Sequence, residues 1–445
     1  MTNFSTKPWF DLERLPTTAI ILSPEAINQA VEISSQIKNT FQQWQTYLNG
    51  LALFAFEQWL QERDDSFTIS REQCTLLQPA IANVLPVVDK LEVNEFKLCL
   101  IAIGSLTDEE VTLPKVVVDL PEYVPHFYVL VEVLEEVEYV VIRGFLTYQQ
   151  LTERLAKANL LPESDWTYQL PLTWFAEDPD RLLLYLRCLK PEAIPLPAIP
   201  KERADNLFQM QGELTALLPK LQVPGRELWQ VLTSEQGTAV LTSPELLNWI
   251  YNLQSQPVET GNITFKPKYL TDLIKLLTQP AVNVGRWLWD ELDELAKQSS
   301  WALLPRFMPV TAMRSPAEEL EVIALQLQQQ GLEIPLQARA AFKDLVLAGI
   351  TLRLYAVTWY LSSDSSRWTL LLIFGAPLLG TLPDNLKLRV SDQTGILVEQ
   401  GVNSKQGDSY LFTRVVGDLN EKFIVSVSLM DGVELTLPPF AFELG

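Results

Sequence analysis

The chain has 445 residues, 47% hydrophobic and 20% charged, with a formal net charge of −21. That length and balance describe a folded protein of more than one domain and exclude a disordered chain. The acidity, 28 acidic against 14 basic residues over 1–200 and 27 against 20 over 201–445, argues against nucleic-acid or membrane-surface binding, which takes clustered Lys and Arg.

The opening MTNFSTKPWFDLERLP has no apolar run after a basic segment, so it reads as neither secretory signal nor transit peptide, and a cytoplasmic location is expected. Three helix starts then share one chemistry, a Ser to cap the free amides, a Pro in the first turn and a following acid: Ser23-Pro24-Glu25, Ser243-Pro244-Glu245 and Ser315-Pro316-Ala317-Glu318. They predict helices over 24–38, 243–254 and 316–329. Between Thr40 and Arg63, Trp44, Leu48, Leu51, Phe54, Ala55 and Trp59 recur at helical spacing and predict an amphipathic helix. From 91 to 146 the runs LEVNEFKLCLIAI, KVVVDL, FYVLVEVL and EYVVIRGFL predict strands of an antiparallel sheet. Helices over 147–158 and 179–188 close an N-terminal α+β domain, 1–188.

Residues 189–200, LKPEAIPLPAIP, carry four prolines and are expected to be a linker. A mainly helical region, 201–335, follows, with one helix running through 282–304. In that helix Trp301 projects among charged residues as a possible partner-binding anchor, unless the helix ends near Gln298 and Trp301 turns into the domain interface. Over 336–445, short apolar segments alternate with turns and predict an antiparallel β-sandwich. The run Trp368–Leu382, broken by Gly375, Pro377 and Gly380, is too short to span a membrane. The expected fold class is therefore α+β and multi-domain: an N-terminal α+β domain with an antiparallel sheet, a helical middle and a C-terminal antiparallel β-sandwich.

Reactive residues are few. His126 is the single histidine, and Cys74, Cys99 and Cys188 have neither the spacing of metal ligands nor that of a disulfide framework. A Cys–His pair using one of them with His126 could still be assembled, since one nucleophile and one base suffice. No GxGxxG or GxxxxGK motif occurs, and Gly375 and Gly380 read as turn glycines. Two acidic groups, Asp108, Glu109 and Glu110, and Glu132, Glu135, Glu136 and Glu138, read as solvated hairpin turns. Tyr355, Trp359, Tyr360, Trp368 and Tyr410 could line a sugar-binding face, but Tyr355, Val357 and Trp359 share one strand face and are expected to pack on the opposing sheet. No metal, cofactor or catalytic residue is assigned.

Several blocks, taken in order, resemble a cyanobacterial family numbered 1822 among domains of unknown function. They are YLNGLALFAFEQWL at 47–60, LEVNEFKLCLIAI at 91–103, YVVIRGFL at 139–146, VNVGRWLWDELDELAKQSSWALL at 282–304 and LPDNLKLRVSDQTG at 382–395. The likeness fades over about 201–280. It carries no catalytic residues. It implies a regulatory or scaffolding role in a cyanobacterial cytoplasm, with genes near those of sigma factors and of protease-like signalling proteins. The expected function is a non-enzymatic interaction or regulatory protein whose partner is another protein, one with a basic surface. The alternatives are a small-molecule or glycan-binding protein using the sandwich or an interdomain cleft, and an atypical Cys–His enzyme.

Overall fold

The computed structural model describes residues 19–104, 109–255, 265–305, 315–361, 364–377, 381–383, 386–402, 410–429 and 432–443. Asp108 and Gly380 lie outside the described residues. The chain divides into two compact units, one of residues 1–203 with 216–257 and one of residues 204–215 with 258–445. No described helix is long and apolar enough to cross a membrane.

Unit 1 starts from the predicted caps. Ser23 Oγ accepts the Ala26 N–H at 3.1 Å and opens helix Pro24–Ser35, and Asn39 Oδ1 accepts the Phe41 N–H at 3.1 Å and opens helix Thr40–Arg63. The two helices approach closely at Gly50, where an added Cβ would stand 2.8 Å from the Cβ of Ala30. The longer helix buries Leu51, Phe56, Trp59 and Leu60 against a six-stranded sheet. Across the sheet the order is Ile20–Ile21, Tyr139–Thr147, Phe127–Leu134, Phe96–Ile103, Val88–Val93 and Ile69–Ser70.

The predicted sheet differs from this one in two respects. Phe96–Ile103 and Phe127–Leu134 run parallel, with Cys99 beside Tyr128, because the intervening chain is long enough to cross over and return in the same direction. KVVVDL is not a strand: Val116–Asp119 is a short helix on that crossover, with Val117 and Val118 buried. Burial overrides the β-propensity of three valines there. One sheet face, with Leu98, Leu100, Phe127 and Val129, joins the core of the long helix. The opposite face, with Cys99, Ile101, Tyr128 and Leu130, lies under the crossover, where Tyr128 OH donates to Val117 O at 2.6 Å. Coverage on both faces explains the unbroken apolar runs.

The crossover strand Glu110–Pro114 pairs antiparallel with Thr167–Pro171. Helices Tyr148–Ala158 and Pro179–Cys188 form as predicted. The proline-rich stretch holds a 3₁₀ turn at Pro191–Ala193 and buries Ile194 in the core of unit 1. Unit 1 resumes with helices Ser234–Leu241 and Pro244–Ser255. The Ser243 hydroxyl donates back to Ala239 O of the helix before it at 3.0 Å.

Gly144 sits where the pairing of Phe127–Leu134 with Tyr139–Thr147 slips by one residue, opposite Leu130. A Cβ there would overlap the Phe175 carbonyl oxygen and stand 3.0 Å from that of Glu177. Gly144→Ala is therefore expected to destabilise unit 1 by about 2 to 3 kcal/mol, as overpacking against backbone does. An unchanged urea midpoint would contradict it.

Unit 2 contains a five-stranded antiparallel sheet in the order Ala302–Leu303, Arg339–Leu347, Ile350–Leu361, Asp364–Gly375 and Tyr410–Asp418. A four-stranded antiparallel sheet has the order Ile396–Gly401, Lys387–Ser391, Ile424–Ser428 and Glu434–Thr436. Leu354, Leu370 and Phe374 of the first share one core with Leu388, Val390 and Val425 of the second. The packing expected of Tyr355, Val357 and Trp359 needs correction. They face the other way, with Leu371 and Ile373, under Leu320, Ile323 and Leu327 of helix Pro316–Gln329. That helix opens with the predicted capping box between Ser315 and Glu318.

The continuous helix expected over 282–304 is instead a short strand Val282–Asn283, a 3₁₀ helix Val284–Trp289, an α-helix Glu294–Gln298 and a strand Ala302–Leu303. Asp290 and Ser300 adopt left-handed backbone, at φ +60° and +62°. Asp293 starts the second helix by accepting the Ala296 N–H at 2.8 Å. The breaks draw Trp287 and Trp301, 5.5 Å apart between ring centres, into the same core.

Candidate functional site

Unit 1 holds a cavity of about 300 Å³. It is assembled from stretches far apart in sequence: Lys38 to Gln42, Asn83 to Pro86, Pro114 and Val116, Asp165 to Thr167, Pro224 to Trp229, and one side of helix Pro244–Ser255. The chain is fixed around it by side chains that answer backbone groups. Gln254 Nε2 donates to Leu221 O at 2.9 Å and to Arg226 O at 3.0 Å, and so holds the loop carrying Arg226. Tyr251 OH donates to Gln36 O at 2.7 Å, and the Lys38 ammonium stands 5.3 Å over the Tyr251 ring.

Trp166 is the central wall. It has left-handed backbone, φ +63°, uncommon for a bulky side chain. Its N–H donates to Glu163 O at 3.1 Å, and its carbonyl accepts the Lys115 N–H at 2.7 Å. The indole lies against Gly237, where a Cβ would overlap the ring. Beyond Trp166 is a smaller cavity of about 190 Å³, which shares Val116, Trp166 and Leu241 with the first. Asp119 lines it; burial raises the Asp119 carboxyl, while the Tyr168 OH, donating at 3.1 Å, acts in the opposite direction. Burial also pushes the Tyr168 phenol up to about 12.

The residues singled out in the sequence do not meet at this cavity. His126 is buried on the sheet, its Nδ1 accepting the Lys97 N–H at 2.9 Å. Burial and the Lys97 charge lower its pKa to about 4, leaving a neutral imidazole. Burial pushes the Cys74 thiol up to about 11 and the Cys99 thiol well above its ordinary value, the reverse of thiolate activation. Cys188 is exposed at the end of its helix. No group of three or more His, Cys, Asp and Glu that could hold a metal ion occurs among the described residues.

Glu132 corrects the reading of its group as turn residues. It is buried within strand Phe127–Leu134 and ion-paired with Arg143. Glu135 and Glu136 form a 3₁₀ turn that ends at Glu138, left-handed at φ +57°. Trp301, read as a possible partner anchor, is 4% exposed and 5.6 Å from Phe440. Its helix ends at Gln298 and Trp301 turns inward, into the core of unit 2, so no ring face is open to a partner. The exposed indole of that stretch is Trp289, at 69%. Of the aromatics considered for a sugar-binding face, Tyr355, Trp359 and Trp368 are buried.

Two features escaped the sequence reading. Asp89 is fully buried with no hydrogen-bond partner on Oδ2. An exposed aromatic strip also runs along the first turns of helix Thr40–Arg63. Phe41 is 87% and Trp44 55% exposed, and Trp44 stands 5.6 Å from Tyr47. The Tyr47 phenol is raised by burial and by the charges of Glu135 and Glu138, which are within electrostatic reach of it. The helical spacing of 41, 44 and 47 was a legible signal, but Trp44 also fits the apolar series of the buried face.

No curated protein and no solved structure matches the chain. The sequence profile of one family, described as a protein of unknown function (DUF1822), matches residues 20–436. That span takes in both units and all the resembling blocks, so the chain belongs to the DUF1822 family.

Proposed function

We propose that this chain is a non-enzymatic interaction or regulatory protein of the cyanobacterial cytoplasm, and that unit 1 takes a basic protein partner. The observation that carries this reading is the exposed pair Phe41 and Trp44, with half-buried Tyr47 next to Trp44 and within electrostatic reach of Glu135 and Glu138. Exposed aromatics supply contact area at little entropic cost and are enriched where binding energy concentrates. A rim of carboxylates steers cations toward them. The net charge of −21 acts in the same direction at longer range.

The test is capture of partners by the tagged full-length protein in its native host. A stoichiometric basic partner should be recovered at low salt and progressively lost toward about 0.5 M salt, as screening shortens the reach of the charges. Phe41→Ser and Trp44→Ser together should weaken its binding by ~30-fold or more, the scale of a hot spot of about 2 kcal/mol. Equal recovery by this double variant would remove the strip from the interface.

A further inference from the structure

We propose that the larger cavity of unit 1 is a binding site for a small aromatic anion, a flat ring system carrying a carboxylate, sulfonate or phosphate group. The inference is independent of the strip on the neighbouring helix turn. A volume of about 300 Å³ is within the range of small-molecule sites. Three aromatic side chains, Trp166, Trp229 and Tyr251, line it together with apolar groups such as Leu247 and Ile250. Flat ring faces around an apolar space favour a flat, apolar ligand body.

The cationic donors left free on the lining give the anion preference. Asp165 and Glu227 keep their negative charges, but their oxygens are turned to neutral donors of the protein itself. Asp165 Oδ1 accepts the Thr167 N–H at 3.2 Å and the Thr167 hydroxyl at 2.7 Å, and Glu227 accepts the Trp229 indole N–H. Lys38 and Arg226 also line the cavity, and neither forms an ion pair among the described residues. Most described arginines of unit 1 do have a carboxylate partner, as Arg71 has Glu57 and Arg203 has Glu122. In a chain with 55 acidic and 34 basic residues, two cations at one cavity that no ion pair occupies form a local donor site for an anion. The Lys38 ammonium, over Tyr251, stands beside one of the ring walls.

Anilinonaphthalene sulfonate, an aromatic anion with a flat naphthalene ring that fluoresces in apolar surroundings, tests this with the full chain. Its uncharged counterpart phenylnaphthylamine tests the contribution of the charge. The sulfonate should bind with one-to-one stoichiometry, quench tryptophan fluorescence by energy transfer and raise the melting temperature, because a ligand of the folded state stabilises it. Lys38→Ala and Arg226→Ala should each weaken it by ~10-fold, the scale of one charge-assisted hydrogen bond. Both should leave phenylnaphthylamine binding unchanged. Trp229→Ala should weaken both dyes. Equal affinity for the two dyes, or unchanged sulfonate binding in the Lys38→Ala, Arg226→Ala double variant, would overturn the assignment. So would fluorescence gained only with loss of the near-ultraviolet dichroism, which marks a loosened core and not a site.

Discussion

Replacing Asp89 by Asn is expected to raise the stability of unit 1 above neutral pH by up to about 4 kcal/mol and to leave it little changed near pH 4. Asp89 is 1% exposed and occupies a bulge of strand Val88–Val93, where Asp89 and Lys90 together oppose Cys99, and Lys90 is left-handed at φ +56°. The backbone is well satisfied, since Thr75 Oγ1 accepts the Asp89 N–H at 2.8 Å. The carboxylate is not: only the Lys90 N–H answers it, and Oδ2 has no partner. Burial therefore raises the carboxyl to about 7.

The sign follows from proton counting. Below about pH 4 the group is protonated in both states and contributes no difference. Between about pH 4 and 7 the unfolded chain ionises first, so the folded state binds more protons and this group's contribution to stability falls as pH rises. Above about 7 the loss is complete, and about 3 units at 1.36 kcal/mol each set its upper size. Asn keeps the shape and has no charge to bury. Unfolding of both proteins by denaturant across this pH range checks it, and a stability difference independent of pH would refute the assignment.

Where local chemistry decides, the structure was legible in the sequence. The Ser-Pro starts at Ser23 and Ser315 and the helical spacing through Trp59 are decided within a turn or two, and all three helices appear, though Trp44 faces solvent instead of the core. Where tertiary burial decides, the reading failed. Three valines at 116–118 form a helix because the crossover must turn beneath the sheet. Two left-handed residues divide the segment 282–304 because Trp287 and Trp301 both enter one core. Asp293 could have signalled that break, since an Asp immediately before Glu294 can start a helix. The cavity was illegible for another reason: Lys38, Trp166, Arg226 and Tyr251 come from separate segments, and no spacing rule links them.

Unit 2 depends on a buried charge cluster, and Arg389→Met is expected to cost about 3 to 5 kcal/mol of its stability. Alternation along strand Lys387–Ser391 sends Leu388 and Val390 into the core shared by the two sheets, and Arg389 and Ser391 to the opposite face. There Arg389 meets Asp272 of helix Phe265–Thr278 in a two-pronged pair, Nε to Oδ2 at 2.8 Å and Nη2 to Oδ1 at 3.1 Å. Ser391 Oγ donates to the same carboxylate at 2.9 Å, and Arg389 also reaches Glu434 at 2.6 Å. Arg389 is 4% and Asp272 1% exposed, so removal of the guanidinium strands a carboxylate out of reach of water. The attraction of the intact pair is largely offset by the cost of desolvating both charges. The double variant Arg389→Met, Asp272→Leu should therefore recover most of the loss. Hydrogen exchange at amides of the strand and the helix reads the effect locally, which matters in a chain of two units whose unfolding need not be a single step. A single variant costing less than about 1 kcal/mol would mean that the stranded carboxylate finds water or a proton at little cost. The helix would then be held to the sheet by its apolar contacts, Leu270 and Leu273 among the buried residues, and not by the ion pair.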